Sequence, residues 1–153
     1  MRISSPAFNN GGTIPERYTR DGGNKWPTLR FYDVPATAQS LALIVGNPDA
    51  PRGAFTHWIV FNISPATREL NEDAEPGMLH QGRNDYGQDD YAAPISPSPE
   101  HQYYFRLYAL DTQLPLSHGV SRLRLESSMI GHVIAEAEIQ GHFAAPVPVG
   151  VPA

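Results

Sequence analysis

The sequence contains no cysteine, which removes several kinds of chemistry at once. Disulfide bonds, thiolate catalysis and cysteine-ligated zinc are all excluded. Lysine is nearly absent too: Lys25 is the only one, against ten arginines, and the formal net charge is −5. Because the basic residues form no stripe along the chain, nucleic acid is not an expected partner.

Long hydrophobic runs are also absent. The longest apolar run, residues 41–45, is far too short to span a bilayer. The first residues show no apolar segment of the kind found in secretory signals, so we expect a cytoplasmic protein without a transmembrane segment. At 153 residues the chain is expected to form a single domain, residues 1–153, which can build its core without disulfides.

Fifteen prolines and thirteen glycines indicate many turns, as is typical of a β-rich fold. The run at 41–45 and the two-sided apolar pattern of 103–110 predict strands in the middle of a sheet, buried on both faces. Further strands are predicted from β-branched and aromatic residues at 3–8, 29–32, 56–62 and 137–143.

The remaining segments predict little regular structure. Residues 69–90 have no clear period and are expected to form a long loop. Ser127 or Ser128 is expected to cap a short helix over residues 129–136, where apolar residues follow helical spacing. The sequence therefore predicts a mainly-β domain with one or two short helices.

The most informative segment is the turn Asn47-Pro48-Asp49-Ala50-Pro51, which follows the buried strand, with His57 opening the next one. Proline fixes φ and keeps the residue before it extended, so the turn is stiff. Asp49 and His57 are therefore expected at the same end of one sheet. A second proline-rich loop, 94–99, leads to His101 and then to Tyr103 on a strand. We interpret these pieces as the lining of one small polar pocket.

In their order and spacing, these segments resemble the phosphatidylethanolamine-binding proteins, the family that includes Raf kinase inhibitor protein, and especially its bacterial and archaeal branch. Four segments carry the resemblance: the opening Ser5-Pro6-Ala7-Phe8, the pair His57-Trp58, the pattern His101-x-Tyr103 and the closing Gly131-His132-Val133. It implies a β-sandwich-like fold with a pocket for phosphate, acetate or a phospholipid headgroup. Carried over to this chain, the pocket residues are Asn47, Asp49, Pro51, His57, Pro94, His101 and Tyr103.

The chain departs from the family pattern at three positions. Asn47 stands where aspartate is usual, Tyr91 where glycine is expected, and Gln102 where arginine is usual. Tyr91 is expected to narrow the mouth of the pocket. Because an amide donates to an anion where a carboxylate repels it, we expect Asn47 to be compatible with anion binding.

Two imidazoles and a tyrosine hydroxyl can supply the donors that a phosphate needs. The pKa of histidine is about 6.5, so a modest shift makes the ring cationic, and we expect Asp49 to fix one tautomer and raise that pKa. The predicted function is non-enzymatic binding of a small anionic or phosphorylated ligand, without a cofactor.

Other interpretations are open. His57, His101 and Asp49 could form a zinc site, although no short ligand pair such as HExxH accompanies them. A histidine–aspartate pair could act as the general base of a hydrolase, although the sequence has no G-x-S-x-G motif. The resemblance also implies an alternative, an interaction module that inhibits a kinase or serine protease through surface loops, and a homodimer.

Overall fold

The computed structural model describes residues 1–20, 22–48, 54–94 and 102–143. These residues form two β-sheets that pack face to face, together with a single α-helix. The mainly-β, sandwich-like fold predicted from the sequence is confirmed. No helix in these ranges has the length and apolar character needed to cross a bilayer.

The smaller sheet has three strands and the larger has six. The strands in chain order are β1 (Arg2–Ser4), β2 (Gly12–Ile14), β3 (Leu29–Tyr32), β4 (Ser40–Asn47), β5 (Phe55–Ile63), β6 (Glu69–Leu70), β7 (His80–Gln81), β8 (Tyr103–Leu110) and β9 (Val133–Phe143). The smaller sheet has the order β1-β3-β6, and the larger has the order β2-β9-β8-β4-β5-β7. Neighbouring strands are antiparallel, except that β2 runs parallel to β9.

Strand β4 is buried on both faces, as its continuous apolar sequence predicts. Leu41 and Leu43 face the smaller sheet and share a core with Phe31 of β3. Ala42 and Ile44 face the opposite side, where they belong to a second core. Because β4 pairs with β5 on one side and β8 on the other, its backbone polar groups find partners within the sheet.

The helix lies earlier in the chain than the sequence pattern predicts. Helix α1 spans Arg122–Met129 and begins after Ser121, whose side-chain oxygen accepts a hydrogen bond from the Arg124 N–H at 3.2 Å. The prediction of a helix over 129–136 is wrong, because Gly131 adopts a φ of 82° just beyond the last helical turn. From Val133 onward the chain pairs with β8 as strand β9, a conformation that suits β-branched residues.

The prediction of a long loop over residues 69–90 is wrong in part. The segment contains β6 and β7, which add edge strands to the two sheets, and a short 3₁₀ helix at Pro76–Met78. Each strand is two residues long, so neither leaves a periodic pattern in the sequence.

A second core covers the outer face of the larger sheet. Leu125 and Met129 of α1 pack there with Leu114 and Val120 from the preceding loop. The central strands β4 and β5 are thus covered on both faces. Their polar side chains can approach solvent only where the strands end.

Candidate functional site

Three of the residues identified from the sequence lie at one end of the six-stranded sheet. Strand β4 ends at Asn47, which is 5% exposed and pairs with Phe55 at the start of β5. Strand β8 begins at Tyr103 on the other side of β4. Antiparallel neighbours reverse direction, so the end of β4 meets the starts of β5 and β8. His57, the third residue of β5, lies at this same end.

A β-bulge sets the direction of the His57 side chain. Val45 pairs with Trp58 and Gly46 pairs with Thr56, so His57 is the extra residue between two ladder partners. Bulges bend the strand and re-aim side chains, and they are common beside binding sites. Here the bulge accompanies an imidazole ring that lies against the first residue of β8.

The His57 ring is enclosed and held in one orientation, with 4% of the residue exposed. Its Nδ1 lies 2.8 Å from the carbonyl oxygen of Ala92, and the Ala92 N–H donates to the His57 carbonyl at 3.1 Å. A carbonyl oxygen can only accept, so Nδ1 carries a proton and donates it. Nε2 makes no hydrogen bond to another of the described residues, and in the neutral ring it carries a lone pair.

The environment of His57 disfavours its charged form. Burial lowers the pKa of His57 to about 4, and the Ala92 carbonyl and the Asp85 carboxylate offset this effect only in part. The ring is therefore neutral at pH 7. Our expectation of a readily charged His57 is wrong, because desolvation of the imidazolium outweighs the favourable interactions with these two groups.

Aromatic rings surround His57. The ring of Tyr103 is buried, and its centroid lies 5.5 Å from that of His57. The rings of Phe55 and Tyr86 are half-buried, at 4.9 Å and 5.9 Å from the imidazole, and they contact each other at 4.8 Å. A buried polar pair thus lies beside two partly exposed aromatic rings, an arrangement typical of small-ligand sites.

Tyr86 was not identified from the sequence. It lies in a tight turn, where the Asn84 side-chain oxygen accepts the Tyr86 N–H at 2.9 Å and Gly87 has a φ of 80°. Asp85 attaches the turn to β5, because its carboxylate accepts the Thr56 N–H at 2.7 Å and its own N–H donates to the Thr56 carbonyl at 2.9 Å. The sequence pattern of asparagine, aspartate and glycine indicates a turn, but only the tertiary contacts place that turn beside His57.

Pro94 is buried at the end of the segment that holds the His57 ring. Asn24 fixes this segment, since its side-chain oxygen accepts the Ala93 N–H at 2.8 Å and its amide donates to the Tyr91 carbonyl at 3.4 Å. Asn24 has a φ of 54°, a conformation that asparagine adopts more readily than most residues. Residues 91–94 are therefore held between β5 and the loop around residue 24.

Tyr91 is a core residue. It is 4% exposed, its ring packs edge-on against Trp58 at 5.5 Å and Trp26 at 6.3 Å, and its hydroxyl donates to the Tyr18 carbonyl at 3.3 Å. Burial raises the pKa of the Tyr91 hydroxyl above its usual value. The expectation that Tyr91 narrows the mouth of a pocket is therefore wrong.

Asp49, Pro51 and His101 lie outside the described residues. Within the described ranges, no three histidine, aspartate or glutamate side chains come close enough to hold a metal ion. The zinc site considered from the sequence uses Asp49 and His101, so it stays a prediction, as does the contact of Asp49 with an imidazole.

Comparison with known proteins agrees with the fold. The sequence profile of the phosphatidylethanolamine-binding protein family matches residues 4–144. A UPF0098 protein from Methanothermobacter thermautotrophicus is 47% identical over 146 residues, covering 92% of this chain and 97% of its own length. A second UPF0098 protein, from Chlamydia pneumoniae, is 43% identical over 148 residues, covering 94% and 98%.

Two solved structures share the fold. One is a phosphatidylethanolamine-binding protein homolog, CT736 of Chlamydia trachomatis, with 41% identity and a TM-score of 0.89, covering 95% of this chain and 97% of that one. The other is YbcL of E. coli, described as a member of the mammalian family, with 26% identity, a TM-score of 0.84, and coverage of 95% and 98%. The chain belongs to the phosphatidylethanolamine-binding protein family.

Proposed function

We propose that this protein binds a small anionic or phosphorylated ligand, without catalysing a reaction, in a pocket at the end of the larger sheet. The observation that carries the proposal is the fixed orientation of His57, whose Nδ1 donates to Ala92 while the ring lies beside Tyr103. Nε2 makes no hydrogen bond to the described part of the chain, and the proposal assigns it to the ligand. Membership of a family named for binding a phospholipid supports the same conclusion.

The remaining predicted residues complete the pocket in this proposal. Asn47 and Tyr103 are buried at the same strand ends as His57 and supply an amide and a hydroxyl, while Pro94 shapes the adjoining loop. Asp49, Pro51 and His101, which lie outside the described residues, are proposed as further ligand contacts. Such a constellation recognises phosphate oxygens by several hydrogen bonds from a rigid scaffold.

Binding is expected to be coupled to a proton. At pH 7 the Nε2 of a neutral His57 has a lone pair, which repels an anionic oxygen and accepts a hydrogen bond from a P–OH group. A phosphate monoester has a second pKa of about 6, so either the ligand or the ring takes up a proton when the complex forms. Because binding consumes a proton, the affinity for phosphate should rise as the pH falls from 8 to 6.

The test is a calorimetric titration with inorganic phosphate at several pH values and in buffers of different ionisation enthalpy. We expect measurable binding, net proton uptake that is largest at pH 8 and declines toward pH 6, and a loss of about tenfold or more in affinity for His57→Gln, since charge-assisted hydrogen bonds are the strong ones. The matched control is His80→Gln, because His80 is exposed on edge strand β7, away from this end of the sheet.

Two results would contradict the proposal. One is the absence of phosphate binding by the folded wild-type protein at every pH. The other is equal phosphate affinity in the His57→Gln and His80→Gln variants. Binding without proton uptake would leave the site in place and contradict only the role of neutral His57.

The alternative function, inhibition of a kinase or serine protease through surface loops, makes the opposite prediction. An interaction module should keep its activity when His57 is replaced and lose it when exposed loops change. Most of the proline-rich loop, residues 95–99, lies outside the described residues. A protein target and a homodimer stay predictions.

A further inference from the structure

Arg20 lies beside the candidate site, although no sequence motif marks it as a binding residue. Its backbone N–H donates to the Pro94 carbonyl at 3.4 Å, so its main chain touches the loop that holds the site. Its guanidinium carbon lies 5.2 Å from the ring centroid of Tyr86, and that ring in turn lies 5.9 Å from the ring of His57. One aromatic ring therefore contacts both the guanidinium and the imidazole.

The Arg20 guanidinium contains a polar atom without a partner. Its Nη1 is shielded from solvent and makes no hydrogen bond to the described part of the chain. An arginine stays charged at any accessible pH, and a buried N–H donor of a cation without an acceptor is costly. Most buried polar groups are satisfied, so an exception calls for a specific explanation.

Several basic side chains in the described part of the chain have a carboxylate partner, whereas Arg20 does not. Six of them form ion pairs with acidic residues, namely Arg17, Lys25, Arg30, Arg83, Arg106 and Arg122. Arg20 forms no ion pair within the described ranges. Arg2, Arg68 and Arg124 likewise form no ion pair within the described ranges, and Arg20 differs from them in lying next to the site where an anion is proposed to bind.

We propose that Arg20 binds the anionic group of the ligand and provides the fixed positive charge of the site. The inference rests on the proposed function, because it names the residue that balances the ligand's charge. A neutral imidazole cannot supply that charge, whereas the planar guanidinium matches phosphate and carboxylate oxygens. The ring of Tyr86 contacts the cation, and Nη1 has no hydrogen-bond partner in the described part of the chain.

This assignment also restricts the class of ligand. A fixed cation favours groups with a net negative charge, such as inorganic phosphate or a phosphomonoester. It disfavours a zwitterionic phosphodiester headgroup, whose ammonium it repels. We therefore expect phosphate and glycerol phosphate to bind about tenfold more tightly than glycerophosphoethanolamine.

The experiment compares phosphate affinity at pH 7 in Arg20→Gln, Arg20→Lys and the control Arg2→Gln. The control is matched, because the Arg2 guanidinium also lies over a tyrosine ring, Tyr32, at 4.5 Å, but in the smaller sheet. We expect Arg20→Gln to weaken phosphate binding about tenfold, Arg20→Lys to restore part of the loss, and Arg2→Gln to leave it unchanged. The thermal midpoint of Arg20→Gln should change little, because the substitution removes no ion pair within the described ranges.

The outcomes separate this inference from the proposed function. If the wild type binds phosphate and Arg20→Gln binds it equally well, Arg20 is not the cation and the site still stands. If the folded wild type binds none of these ligands, both proposals fail. If Arg20→Gln does not fold, the comparison of ligands on the wild type tests the assignment. Tighter binding of phosphate than of glycerophosphoethanolamine supports it, and equal affinity for the two overturns it.

Discussion

His57 shows how one residue can combine a structural and a binding role. Its Nδ1–H satisfies the Ala92 carbonyl, while its own backbone carbonyl accepts the Ala92 N–H, so one residue of β5 holds the 91–94 segment by two hydrogen bonds. The cost is a histidine that can be charged only with difficulty, since burial lowers its pKa to about 4. The protein is thus less stable at pH values where the unfolded chain binds this proton and the folded chain does not.

The pH dependence of stability follows from this difference. The unfolded pKa is about 6.5, so the contribution of neutral His57 is complete above that pH and is lost as the pH falls from about 6.5 to 4. A shift of this size corresponds to about 3 kcal/mol in the free energy of unfolding. Urea unfolding should show that the free energy of unfolding falls between pH 7 and pH 4.5. This fall should be smaller by roughly 2–3 kcal/mol in His57→Gln than in the wild type.

Other groups titrate over the same range, so the comparison needs a second histidine variant. His80→Gln should show the same drop in unfolding free energy as the wild type, because His80 is exposed on β7. An identical drop in all three proteins would mean that His57 titrates normally in the folded state.

At the scale of elements, α1 is a short helix that depends on its cap. Ser121 accepts the Arg124 N–H at 3.2 Å, and the side chain of Leu125 anchors the helix in the outer core. Eight residues form only about two turns, so the helix has little intrinsic stability and relies on these contacts.

The cap gives a direct prediction. Ser121→Ala should lower the free energy of unfolding by about 1 kcal/mol, because one N–H at the start of α1 loses its acceptor. Ser127→Ala, inside the same helix and exposed, should be neutral or slightly stabilising, since alanine favours helix. Chemical denaturation of both variants checks this, and a larger loss for Ser127→Ala would contradict the observed helix boundaries.

The long central elements could be predicted from the sequence, whereas the short ones could not. Apolar and β-branched patterns predict the strands β3, β4, β5 and β8, and the observed strand pairing agrees with them. Residues 130–134 fit a helical spacing as well as a strand, and pairing with β8 decided between the two. The two-residue strands β6 and β7 depend on edges supplied by distant parts of the chain.

At the scale of the whole molecule, the antiparallel sheet brings distant residues to one end. Asn47, His57 and Tyr103 could be placed there from the sequence, because each lies at a recognisable strand end. Arg20 and Tyr86 could not, since they lie in loops whose positions depend on contacts with Pro94 and Thr56. The neutral state of His57 could not be predicted either, because the burial that causes it is a property of the folded chain.

An acidic protein can bind an anion only if local donors and charge outweigh its overall repulsion. We assign that task to hydrogen-bond donors around His57 and to the guanidinium of Arg20. The most direct measurement is long-range ¹H–¹⁵N NMR of the His57 ring at pH 7, with and without saturating inorganic phosphate. We predict a protonated Nδ1 and an unprotonated Nε2 in the free protein, and a large shift of the Nε2 resonance when phosphate is added. An Nε2 resonance that phosphate leaves unchanged would contradict the account.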